Sequence, residues 1–87
     1  MVNYSEKQIQ DILIAQVAMI LSLAPSAIKL DTPLHTLGVD SLSFVELLVF
    51  IEKKFALKLM DSGALLKDFY TIGSLAQCIS RLKADET

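Results

Sequence analysis

One serine, Ser41, stands in the run Leu37-Gly38-Val39-Asp40-Ser41-Leu42, and an uninterrupted apolar helical pattern begins immediately after it. A hydroxyl in the first turn of a helix meets free backbone N–H groups and the positive end of the helix dipole. Both favour an anionic group such as a phosphodiester. Three uses of such a serine compete. It can serve the helix alone, as an N-cap or first-turn residue. It can be the nucleophile of a hydrolase, but the chain has no Gly-x-Ser-x-Gly elbow, and its one histidine, His35, lies six residues away with no evident orienting carboxylate. Third, the hydroxyl can be the attachment point for a phosphate-linked group. Asp40 reads as an N-cap, which is compatible with that third use. Gly38 allows close approach to the backbone just before the turn.

The other chemistry-bearing residues have plainer readings. Cys78 falls near the apolar face of a helical segment and reads as a small core residue. His35 reads as a solvent-facing loop residue, and Met19 and Met60 as gap fillers. Lys53-Lys54 reads as a solvated helix end that complements the dipole. No His, Cys and carboxylate cluster has metal-site spacing.

Composition bounds the possibilities. Eighty-seven residues make one domain with one small core, and a 53% hydrophobic chain without Trp and with three Gly and two Pro suits a helical bundle. A single cysteine excludes an internal disulfide framework and fits a reducing compartment. A formal net charge of −2 with scattered Lys and Arg argues against nucleic acid as a partner. The N-terminus lacks an export signal, and the longest apolar stretch, 12–24, is shorter than the roughly 20 residues a spanning helix needs. A cytoplasmic monomer without membrane insertion is the expectation. The starting Met and short tails favour a free-standing protein.

The elements that must position Ser41 follow from capping and period. Ser5 and Gln8 form a capping box, and Ile9, Ile12, Leu13, Val17 and Ile20 follow a helical stripe, predicting a helix over 5–21. Residues 22–40 hold both prolines and no sustained period; they form a long connection pinned by Ile28, Leu30, Leu34 and Leu37. A second helix is predicted over 41–55, with Phe44, Val45, Leu48, Ile51 and Phe55 as its buried stripe. Ser62-Gly63 suggests a short third helix over 62–67. Thr71 caps a last helix over 72–83, with Ile72, Leu75, Ala76, Ile79 and Leu82 at helical spacing. The core is expected to gather Ile9, Leu13, Val17, Val45, Leu48, Ile51, Phe55, Ile72, Leu75 and Ile79.

This order of signals resembles the acyl carrier protein family. It includes Leu30-Asp31-x-x-Leu34, Leu37-Gly38-Val39-Asp40-Ser41-Leu42, Val45-Glu46-Leu47 and Thr71-Ile72-x-x-Leu75-Ala76, and the likeness runs from about Ile9 to Leu82. The resemblance implies an all-α, four-helix acyl-carrier-type bundle with three longer helices, one short helix and a long first loop. It implies a carrier and not an enzyme, with 4′-phosphopantetheine from coenzyme A attached covalently at Ser41. Asp40 would help a phosphopantetheinyl transferase place its metal and the coenzyme A phosphate. Leu42, Glu46 and Val49 would meet partner enzymes, namely the transferase and acyl-transferring or synthase enzymes; Leu47 and Phe50 join this partner face on their apolar character alone.

Two departures from the family's usual pattern bear on the pathway. Carriers of bacterial fatty acid synthesis usually show a dense acidic second helix. Here residues 41–55 carry Glu46 and Glu52 as their only acids, Ser43 where an acid is usual, and Lys53-Lys54 at the end. Leu42, Leu47, Val49 and Phe50 are apolar residues beyond the expected core stripe, so the helix is either more deeply buried than usual or presents these residues as an apolar docking surface. The reading is therefore a carrier for a specialised fatty acid or polyketide pathway. The alternatives are a peptidyl or aminoacyl carrier of a nonribosomal peptide system, and an unmodified carrier-like interaction subunit.

Overall fold

The computed structural model describes residues 4–59 and 66–85. Among them run four α-helices: α1 Glu6–Leu21, α2 Leu34–Leu37, α3 Ser41–Phe55 and α4 Ile72–Asp85. Short 3-10 segments occupy Pro25–Ala27 and Leu66–Phe69. The described residues contain no strand, only an isolated bridge between Pro33 and Thr71. The fold is thus all-helical, with three longer helices and one short one.

Helix starts are written in local hydrogen bonds. At α1 the Gln8 N–H donates to Ser5 Oγ at 3.1 Å, while the Ser5 N–H donates to Gln8 Oε1 at 2.8 Å, which is the reciprocal capping box. At α4 the Ser74 N–H donates to Thr71 Oγ1 at 3.0 Å and the Thr71 N–H to Ser74 Oγ at 3.1 Å. Where α3 ends, Ala56 turns left-handed, and Lys83 Nζ donates to the Phe55 carbonyl at 2.9 Å, so α4 satisfies an orphan acceptor of α3.

The core joins Ile9, Leu13, Val17 and Ala18 of α1 to Leu47, Ile51 and Phe55 of α3, and to Ile72, Leu75, Ala76, Cys78 and Ile79 of α4. Ile28 and Leu34 enter it from the first connection, and Leu57 and Leu59 from the segment after α3. Leu57 and Leu59 are buried on either side of exposed Lys58. Cys78 is fully buried, as a small core residue. Burial, and secondarily the Asp68 carboxylate, push its thiol pKa up, so it holds its proton.

Two expectations need correction. Val45, placed in the core from the sequence, is 54% exposed, whereas Leu47, placed on the partner face, is 1% exposed. At 3.6 residues per turn these two side chains lie about 160° apart on opposite flanks of the Phe44–Ile51–Phe55 line. Because α3 is apolar nearly all round, periodicity did not decide which flank packs inward. Leu48 and Phe50 are half-buried against the core.

The second correction concerns the first connection. It is not without regular structure: the 3-10 segment Pro25–Ala27 and α2 lie inside it. The short helix expected over 62–67 lies mostly outside the described residues, which resume with the 3-10 segment Leu66–Phe69; the short helix among the described residues, α2, precedes α3.

The connection is tied to the entrance of α4 by backbone. The Leu34 N–H donates to the Tyr70 carbonyl and the Gly73 N–H to the Leu30 carbonyl, each at 2.9 Å. A Cβ at position 73 would stand 3.2 Å from the Leu30 oxygen, so glycine lets these segments meet closely.

Candidate functional site

Ser41 lies where two devices meet. The first ends α2. Gly38 adopts φ 105°, its N–H donates to the His35 carbonyl at 3.2 Å, and the Val39 N–H donates to the Leu34 carbonyl at 3.2 Å. This pair of bonds is a Schellman motif, and it needs a residue that tolerates positive φ, which explains glycine at 38. The second starts α3. Asp40 Oδ1 accepts from the Ser43 N–H at 2.8 Å, and the Phe44 N–H donates to the Asp40 carbonyl at 2.9 Å. Asp40 is therefore the N-cap and Ser41 the first helical residue.

The Ser41 side chain is exposed, at the dipole end that favours negative charge. Asp40 holds one of the free first-turn N–H groups and leaves the Ser41 hydroxyl uncommitted to capping. A phosphate-linked group fits this donor set and this exposure. Among the described residues no group of three or more His, Cys, Asp or Glu side chains could hold a metal ion.

The hydrogen bond from the Ser43 backbone holds the Asp40 carboxyl below the usual carboxylate range. Its folded pKa is depressed, so the stabilisation is complete above the unfolded value of about 3.9 and is lost as pH falls through the lowered folded one. Asp40→Asn keeps an acceptor but removes the charge. The stability gap between wild type and this variant should be widest above about pH 5 and shrink towards pH 2, read as urea midpoints across that range. Because Asp40 is exposed, added salt should narrow the gap. A gap independent of pH would exclude the charged cap.

Beside Ser41 opens a groove of about 260 Å³. Its lining comes from Asp40, Ser41 and Phe44 at the start of α3, from Leu34, His35 and Val39 of the first connection, and from Phe69 and Tyr70. Phe44 and Phe69 meet edge to face at 5.7 Å, and the His35 and Tyr70 rings lie 5.9 Å apart. His35 is solvent-facing, as its sequence position suggests, but it also belongs to the Ser41 groove. Tyr70 and Phe69 are site residues that sequence reasoning missed. They come from a distant segment and carry no local signal.

The residues expected to meet partners divide. Leu42 at 70%, Val49 at 44% and the side chain of Glu46 are exposed on α3, joined by the misassigned Val45. Leu47 is buried and cannot meet a partner; Phe50 is half-buried, so only part of its ring reaches solvent.

Comparison with known proteins places this geometry in a family. Residues 2–86 match the family model of the C-terminal ACP domain of the highly reducing polyketide synthase sdgA. An acyl carrier protein of Campylobacter fetus subsp. fetus is 34% identical over 77 residues, covering 87% of this chain and 92% of the relative. That of Campylobacter hominis is 39% identical over 59 residues, 67% of this chain and 70% of the relative. The NMR structure of the HMG-ACPI domain from the CurA module of Lyngbya majuscula superposes with a TM-score of 0.78 at 27% identity. The match covers all of this chain and 88% of that one. The sequence signals around Ser41, the helical bundle that presents it and these matches agree: the chain is a carrier protein rather than an enzyme, and it belongs to the acyl carrier protein family.

Proposed function

We propose that Ser41 carries 4′-phosphopantetheine in phosphodiester linkage, delivered from coenzyme A by a phosphopantetheinyl transferase. The observation that carries the reading is an exposed serine at the first helical position of α3, directly after the capping Asp40, in a member of this family. The group supplies a terminal thiol that holds acyl intermediates as thioesters. This chain's own residues expose the hydroxyl, set favourable backbone dipoles around the phosphate and keep Asp40 ionised beside it. Tethering turns substrate delivery into a local event at millimolar effective concentration. The test is intact-protein mass after incubation with coenzyme A and a promiscuous transferase.

The match to a polyketide synthase carrier domain supports polyketide-type cargo and synthase partners. The low acid content of α3 points the same way. Among the described residues no helix is long and apolar enough to cross a membrane.

Leu42, Val45 and Val49 form an exposed apolar stripe beginning one residue after Ser41, with Glu46 beside it. Docking through this stripe rests on burial more than on charge steering. Val45→Ser should slow acyl transfer from a synthase partner about equally at low and high salt, while Glu46→Lys should have the smaller effect. A Glu46→Lys variant that is inactive at low salt beside a fully active Val45→Ser would show electrostatic docking instead.

A further inference from the structure

We propose that the groove beside Ser41 is a seat for the prosthetic arm itself, walled by His35 and Tyr70; this rests on Ser41 as the attachment point. Ser41 lines the groove, so anything tethered to its oxygen is held at the groove's mouth without a separate binding step. The walls differ in chemistry in the way the arm does. After its phosphate the arm has a geminal dimethyl carbon, then a hydroxyl and two amides. Val39 and the Phe44–Phe69 edge-to-face pair offer apolar surface to the methyls. His35 and Tyr70 each present a ring face and a polar tip, which suits hydroxyl and amide groups.

Size limits the occupant. At about 260 Å³ the groove falls just under the roughly 300–1,000 Å³ of pockets that enclose whole drug-sized ligands. Placement is built in as well. The two ring-bearing segments are joined by the Leu34 N–H to Tyr70 carbonyl bond and the Pro33–Thr71 bridge, so backbone contacts hold this wall opposite α3.

The experiment uses the holo protein carrying a ¹³C,¹⁵N-labelled pantetheine arm, with loading verified by mass first. Isotope-filtered NMR should give contacts from the geminal methyls to the rings of Phe44, Phe69 and Tyr70. The first amide of the arm should have an order parameter above about 0.6, the boundary below which a segment counts as flexible. In the His35→Ala/Tyr70→Ala double variant, loaded to the same extent, these contacts should vanish and the order parameter fall below that boundary. The tie between the segments is made by backbone atoms, so this variant keeps it.

A loaded wild-type arm without ring contacts, or a groove contacted only by the acyl chain of an acylated form, overturns the seat and leaves attachment standing. Absence of loading at Ser41 overturns both, and the mass measurement reads it before any spectrum is taken.

Discussion

Ser41→Ala should abolish loading: wild-type protein should gain the mass of one phosphopantetheine group on incubation with coenzyme A and a transferase, and the variant should gain nothing. The loss should be complete because no hydroxyl beside it on α3 has the same setting. Ser43 follows two residues later, about 200° further round the helix, half-buried and with its N–H committed to Asp40. Ser43→Ala should therefore load as wild type does. The fold should survive Ser41→Ala, since Asp40 is the cap and alanine suits a helix, so stability should stay within about 0.5 kcal/mol. Loading of the Ser41→Ala variant would move the attachment point elsewhere. No loading of wild type by several transferases would leave an unmodified interaction subunit as the better reading.

Phe55→Ala should be the most damaging single truncation in the core. Phe55 is 1% exposed, closes α3, and receives the Tyr4 ring edge to face at 5.2 Å. Truncating a buried phenylalanine costs about 3–5 kcal/mol through lost transfer energy and the cavity left behind. Against the about 5–15 kcal/mol that holds a typical domain folded, the loss would unfold a substantial share of the population. With a urea m-value of about 1–3 kcal/mol/M, the midpoint should fall by at least about 1 M. Val49→Ala, 44% exposed on the same helix, serves as the control and should move little. Equal midpoints for the two variants would mean that the buried face of α3 is elsewhere.

What could be read directly from the sequence was what is decided locally. The Ser5–Gln8 box, the Asp40 cap and the Thr71 cap each act within a few residues, so the chain's order contains them. The side of α3 that packs was not legible, because Val45 and Leu47 are both apolar and only α1 and α4 choose between them. Helix α2, four residues long, is too short to display a period. Its one available signal is the bracket of Pro33 before it and Gly38 after it. Ser41 was legible through its motif, whereas the groove beside it was not. Part of that groove, Phe69 and Tyr70, comes from chain far away in sequence, and its neighbourhood with His35 exists only in the folded molecule.

The tie between the first connection and the entrance of α4 has a consequence for the order in which the molecule assembles. It joins residues 30–34 to residues 70–73, so a long stretch of chain must close before its two hydrogen bonds form, at an entropic cost that local caps do not incur. Closing so long a loop slows folding relative to a fold held by local contacts alone. The starts of α1 and α3 depend on no such closure. Leu34 and Ile72, one on each side of the tie, are both buried in the core, so the wall facing Ser41 is completed only as the interior packs, whereas the capped helix starts do not wait for it.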